Sequence, residues 1–210
     1  MSPATARSAA LAAVLACAPA MPTTRLYRLQ PPAPTACAAT PRGSLRVRDM
    51  QVASAYDDPR IAYRESAYQL RRYEYHQWAA PPGELVSDAL RDGYAASGCF
   101  ARVGRDHDAP ADAELHGRVL ALEEVDVTRT QWSAHLRIEL DLRDARTHRR
   151  LWSHEYDLSR PLQPRSPDGL AAATSAALRE VVDASASALA TATSAASAAA
   201  RDDGHPGALP

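Results

Sequence analysis

The sequence predicts an α+β fold: a single domain with a mostly antiparallel sheet and two helices packed on one face. Three observations carry this. From Trp132 to Leu142 the residues Trp132, Ala134, Leu136, Ile138, Leu140 and Leu142 alternate with Ser133, His135, Arg137, Glu139, Asp141 and Arg143. A period of two with one apolar parity marks a strand covered on one side and wet on the other. Glu84 to Ser97 carries Leu85, Val86, Ala89, Leu90 and Tyr94 at helical spacing, and Ser166 to Val182 carries Leu170, Ala173, Ala177, Leu178, Val181 and Val182. Two apolar helical stripes are what a one-faced sheet needs as a cover.

In chain order, Thr24 to Leu29 is a short strand, and Gln30 to Gly43, with four prolines, a loop. Leu45 to Val52 is a strand with Leu45 and Val47 on one face. Asp57-Asp58-Pro59 turns the chain into a Tyr-rich hairpin of Ile61 to Arg64 and Tyr68 to Trp78. Pro81-Pro82-Gly83 breaks it before the first helix, and Gly98 stops that helix. Phe100 to Val103 is a short strand, and Gly104 to Asp112 a polar turn region. Leu115 to Val127 is a long strand, followed by Trp132 to Leu142, a turn at Asp144-Ala145-Arg146-Thr147 and a return strand, Leu151 to Leu158. Trp152 is expected to share the buried side with Ile138. Ser166-Pro167-Asp168 opens the second helix with an N-cap Ser, a Pro at the first helical position and an acid in the first turn. Beyond Asp183 the Ala/Ser/Thr run has only Leu189 as a large apolar residue. It is expected to stay helical through Ala propensity, to bury little, and to be disordered from Arg201 to Pro210.

The 210 residues suit one domain with flanking segments. The formal net charge of -1 gives no footprint for a nucleic acid or another polyanion. All basic residues are Arg. No run of about 18 apolar residues suggests a membrane-spanning helix.

The first residues, MSPATARSAALAAVLAC, have Arg7 as a short positive region and Ser8 to Ala16 as an apolar stretch too short to span a bilayer. Val14-Leu15-Ala16-Cys17 resembles the lipobox of bacterial lipoprotein precursors, in which the Cys thiol takes a diacylglycerol. The alternative is an ordinary secretory signal cut near Ala18-Pro19-Ala20; either way the chain is exported. The organisation read from this is a lipoprotein signal peptide over 1–16, a lipidated Cys17 and tether over 17–24, a domain over 25–182, and an Ala-rich tail over 183–210.

An ordered set of short segments lies behind this signal: Arg25-Leu26-Tyr27-Arg28-Leu29, Leu45-Arg46-Val47, Asp58-Pro59-Arg60-Ile61-Ala62-Tyr63-Arg64, Tyr73-Glu74-Tyr75-His76-Gln77-Trp78-Ala79-Ala80-Pro81-Pro82, Ser97-Gly98-Cys99-Phe100-Ala101-Arg102-Val103, Asp144-Ala145-Arg146-Thr147 and Leu151-Trp152. Together they resemble the ABC-type transport auxiliary lipoproteins, which include PqiC-like proteins, across most of Arg25 to Val182. The resemblance implies a lipid-anchored accessory of an ABC transporter permease complex, or of a periplasmic protein with mammalian-cell-entry (MCE) domains, in a system that moves lipids across the envelope. In such lipoproteins an Asp after the lipidated Cys retains the protein in the inner membrane. Ala18 stands there instead, which implies the periplasmic face of the outer membrane. Homo-oligomers are compatible with this role. The competing reading is a generic envelope lipoprotein, a binding or assembly factor unrelated to transport.

The residues offer no chemistry of their own. No two of the seven His have H-x₃-H spacing, and Asp106-His107-Asp108 reads as a polar turn. No Gly-rich phosphate loop, G-x-S-x-G or H-E-x-x-H occurs, so no enzyme, cofactor or metal is expected. Ser133, His135 and Asp141 fall on one strand face, too far apart for a triad. Tyr73, Tyr75 and Trp78, with Pro81 and Pro82 at the strand's end, read either as core or as a partner-binding rim. With Cys17 acylated, Cys37 and Cys99 remain as an even pair, open to a disulfide in an oxidising compartment; Cys99 beside Phe100 also suits a buried apolar position.

Overall fold

The structure, a computed structural model, describes residues 22–203 except 39, 106–109 and 129. The described residues form β1 (Arg25–Tyr27), β2 (Ser44–Val47), β3 (Gln51–Val52), β4 (Arg60–Ser66), β5 (Gln69–Trp78), α1 (Pro82–Ser97), β6 (Arg102–Gly104), β7 (Ala113–Thr128), β8 (Gln131–Asp144), β9 (Arg150–Pro161) and α2 (Pro167–Asp203). This is the α+β architecture expected, with all nine strands in one sheet.

β7 organises the sheet. One of its edges pairs antiparallel with β8 from Ala113↔Asp144 to Thr128↔Gln131. Its other edge is filled by three short parallel partners in succession: β2 opposite Ala113–Leu115, β3 opposite Arg118–Val119, and β4 opposite Glu123–Val125. β6 and β5 add outside β2 and β4, β1 pairs parallel with β5, and β9 pairs antiparallel with β8. The long ladders are therefore antiparallel and the short ones parallel. The single strand expected over Leu45 to Val52 divides into β2 and β3, because the chain leaves β7 between them.

The alternating pattern lands as expected. Ala134, Leu136, Ile138, Leu140 and Leu142 are buried, while Arg137 and Glu139 are exposed. Opposite them, Tyr156 pairs with Ile138 and Trp152 with Leu142, so Trp152 lies on the buried side. α2 packs over β8 and β9, and α1 packs on α2 and over β2, β3 and β6. Where the helices cross, a Cβ on Gly93 would come 2.8 Å from the Val182 Cγ2, so the close approach requires a glycine. Gly98 ends α1 in the left-handed region, at φ 67, donating its N–H to the Ala95 carbonyl.

Cys37 and Cys99 are joined in a disulfide, with Cα atoms 5.2 Å apart. Cys99 is also buried, so the two readings of it coexist. The bond, with Cys37 N–H donating to the Ser97 carbonyl, pins the Pro-rich loop to the end of α1. A cross-link over a sequence separation of 62 contributes about 4 kcal/mol in the chain-entropy model.

The expectation that the run beyond Asp183 buries little is corrected by the structure. α2 continues without a break to Asp203. Ser185, Ala186, Leu189, Thr193 and Ala196 are buried and extend the stripe of Leu178, Val181 and Val182 by three more turns. Small side chains let the helix lie close to its neighbours, so Ala and Thr pack there as core residues. Leu189→Ala is accordingly expected to cost about 2–5 kcal/mol of folding free energy, measured by denaturant unfolding. A change within about 0.5 kcal/mol, typical of a surface position, would contradict this packing.

Candidate functional site

The rim read from the sequence divides between core and surface. Trp78 is buried, and so is Pro82, the first residue of α1 after the Pro81 N-cap. As contact-surface candidates both are therefore corrected: the Trp78 indole fills core beside Tyr27, and Pro82 starts a helix whose first turn lies against β3. Pro81 stays exposed and Tyr75 partly so, its hydroxyl donating to the Glu74 carboxylate at 2.9 Å. Tyr73 is half-buried in a chain of rings. It lies 4.7 Å from Tyr63 and 5.4 Å from His76 between centroids, and His76 in turn bonds the Tyr27 hydroxyl through Nδ1 at 2.8 Å. Cys17, Ala18, the signal segment and Asp106-His107-Asp108 lie outside the described residues.

What sequence reading missed is where the Tyr73 hydroxyl points. It donates to the Glu124 Oε1 at 2.7 Å. Glu124 sits on β7 opposite Ala134, on the buried face of the sheet. Two residues on, Asp126 shares that face opposite Trp132. Glu124 Oε2 and Asp126 Oδ1 are both buried without another hydrogen-bond partner. Burial pushes the Glu124 carboxyl up to about 7, and the Asp126 charge adds to this; burial raises Asp126 as well.

The next carboxylate along β7 has the opposite character. Glu123 faces the other side of the sheet and accepts from Arg64 Nε at 2.8 Å, His135 Nδ1 at 2.8 Å and the Tyr56 hydroxyl at 3.1 Å. Burial opposes its ionisation, but these donors outweigh burial and hold it below the usual carboxylate range. His135 spans Glu123 and Asp157 Oδ1, at 3.0 Å from Nε2, which favours the imidazolium and raises its pKa. The network ties β4, β7, β8 and β9 together. It contains no activated nucleophile, because burial and the Glu123 charge push the Tyr56 hydroxyl up to about 12. Ser133, His135 and Asp141 do not converge: His135 is committed to Glu123 and Asp157, while Asp141 accepts from Arg143. Among the described residues no cluster of His, Cys, Asp or Glu has the geometry of a metal site. No helix among them is long and apolar enough to cross a membrane.

Residues 27–186 match the model of a family described as the ABC-type transport auxiliary lipoprotein component. A crystal structure from Xanthomonas campestris, of a DUF330 family protein, is similar with a TM-score of 0.71 and 22% identity, over 83% of this chain and 99% of that one. The crystal structure of an uncharacterised protein is similar with a TM-score of 0.60 and 15% identity, over 81% of this chain and 98% of that one. These likenesses fix the fold. Among curated proteins none matches this chain.

Two measurements check the site's reading. Trp78→Ala is expected to cost about 3–5 kcal/mol and lower Tm sharply, whereas Tyr75→Ala leaves the fold within about 0.5 kcal/mol of wild type. Stability also depends on pH through Glu124. Its folded pKa is raised, so its contribution is whole below about 4.5 and is lost as pH rises through about 7. Raised His135 acts in the same direction through its own range. Wild type is expected to melt higher at pH 5 than at pH 8. Glu124→Gln, a neutral isostere able to accept from Tyr73 and donate to Asp126, is expected to shrink that difference and to stabilise at pH 8. Thermal unfolding of both proteins at the two values decides it; equal pH dependence would exclude the raised Glu124 pKa.

Proposed function

Because the chain belongs to the ABC-type transport auxiliary lipoprotein family, we propose that it is the lipid-anchored accessory of an MCE-type envelope lipid-transport system. In this reading it acts by binding its transporter partner and performs no chemistry. The family match across residues 27–186 carries the proposal. Two features of the chain support it. Cys17 follows a short apolar segment at the lipobox position, and Glu123 and His135 are spent on ties between strands.

Acylation of Cys17 supplies the membrane affinity. Each buried methylene contributes about 0.8 kcal/mol, and two chains hold stably. Ala18 carries no charge and is not the Asp that retains such lipoproteins, so the protein is placed on the periplasmic face of the outer membrane. From there the domain meets the far end of a partner anchored in the inner membrane, an MCE-domain protein or its permease complex. The exposed part of the rim, Tyr75 and Pro81, is the proposed contact.

Membrane fractionation of wild type, Cys17→Ala and Ala18→Asp tests the anchor and its address. Wild type is expected with outer membranes, Ala18→Asp with inner membranes, and Cys17→Ala in the soluble fraction with its fold intact. A Cys17→Ala protein that still pellets in high salt would refute the lipid anchor. Co-purification of wild type and Tyr75→Ala with an MCE-domain protein tests the partner. A stable wild-type protein that retains no such partner would favour the generic assembly factor.

A further inference from the structure

The direction in which the chain enters the sheet says which end of the domain meets the membrane. β1 runs parallel to β5, with Arg25 opposite His76 and Tyr27 opposite Trp78. The chain therefore enters β1 from the side on which β5 starts, where the turn between β4 and β5 stands. By register that turn stands level with the end of β7. β4 is parallel to β7, with Arg64 opposite Val125, so it shares that end with the turn between β7 and β8.

Lengths then constrain the arrangement. β4 covers the stretch of β5 from Gln77 back to Gln69 in six steps, from Arg60 to Ser66, or about 20 Å, because β5 bulges between Arg72 and Gln77. From Cys17 to Arg25 is eight residues, at most about 26–29 Å when extended. A fully extended tether is therefore long enough to reach past the tip of the hairpin. A bilayer is impenetrable to the folded domain, so its surface passes close to that tip when the tether follows the line of β1.

The tip has the surface chemistry for this. Ser66-Ala67-Tyr68-Gln69 is uncharged and fully on the surface. Tyr68 is 100% exposed, and the other exposed large hydrophobic among the described residues is Leu26, 64% exposed, in β1 beside the tether. The nearest acid behind the tip, Glu65, is paired with Arg71 at 3.6 Å. A tyrosine with nothing to pack against in the domain has an apolar ring and a polar hydroxyl, the combination that settles at the headgroup level of a bilayer.

We propose that the turn between β4 and β5 is the domain's contact with the lipid surface, with Tyr68 seated among the headgroups. This rests on the Cys17 anchor proposed above. It commits the hairpin tip to lipid and leaves the opposite end, with the turn between β8 and β9, directed away from the membrane.

The test uses the lipidated full chain in phosphatidylethanolamine–phosphatidylglycerol vesicles. Tyr68→Cys is labelled with an environment-sensitive fluorophore, and Arg149→Cys, exposed in the β8–β9 turn, serves as the distal control. Cys17 is acylated and Cys37 is bonded to Cys99, so the introduced thiol takes the label. The label at 68 is expected to shift to the blue and to lose most of its emission when spin-labelled headgroup lipids are added, while the label at 149 does neither. Protein that floats with the vesicles while the label at 68 responds no more than the label at 149 would overturn the tip contact and leave the anchor standing. Protein that does not float would overturn the anchor, and the tip contact with it. A label at 68 that responds to an added MCE-domain protein but not to lipid would make the tip a protein-docking site and also overturn the proposal.

Discussion

The fold depends on one strand being satisfied on both edges. β7 runs from Ala113 to Thr128, and nearly every backbone group of its interior needs a partner, because an unpaired buried N–H or C=O costs a lost hydrogen bond. β8 meets one edge in a single antiparallel ladder. The other edge has no continuous partner, and β2, β3 and β4 each supply two or three residues of parallel pairing along it. That patchwork explains the rest. The loop after β2 leaves β7 only long enough to return as β3. The first helix must cross back before β6 adds beside β2. The hairpin of β4 and β5 hangs on the last third of the strand, and β1 hangs on the hairpin.

The same strand carries two adjacent carboxylates facing opposite sides, and the environments separate their chemistry. Glu123 is met by a guanidinium, an imidazole and a phenol, so burial does not prevent its charge. Glu124, one residue on, is met by one phenol and a second acid, so burial raises it. Breaking a buried ion pair by removing one partner leaves the other charge exposed to the full cost of desolvation. Glu123 is therefore a tie between elements, while Glu124 and Asp126 leave two buried oxygens without a partner at the end of the core.

Much of this was legible in the sequence where the signal was local. The alternation from Trp132 to Leu142 set the buried face of β8, and its partners Trp152 and Tyr156 followed from the hairpin. The Pro81-Pro82 start and Gly98 stop framed α1. What stayed hidden was non-local or small. The parallel pairing of β2 and β3 is decided by β7, not by their own few residues. Tyr73 and Trp78 lie in one Tyr-rich strand, yet Tyr73 reaches Glu124 and Trp78 fills core, and the register shifts between β4 and β5 that separate them carry no sequence signature. The Ala-rich run after Asp183 looked unable to bury area because each side chain is small. Its spacing, with Ser185, Ala186, Leu189, Thr193 and Ala196 on one face, was the available sign that it continues the packing stripe of α2. Cys17 and its surroundings, the most informative segment for address, lie outside the described residues.

The topology gives the domain a direction. β4 ends, β7 ends, β8 begins and β9 ends at one pole, and Leu162, just past β9, donates its N–H to the Trp132 carbonyl there before α2 begins. α2 then runs back along the sheet to the opposite pole, where Ser194 and Ser197 line a hollow with Ser44 and Asp112 at the starts of β2 and β7. Its 37 residues span about 55 Å at 1.5 Å each. Over about 39 Å of that length, from Leu170 to Ala196, a buried stripe holds it against α1 and the sheet, so bending the helix there would open the core. The small residues of α2 allow this by letting a long helix stay in contact where larger ones would lift it away.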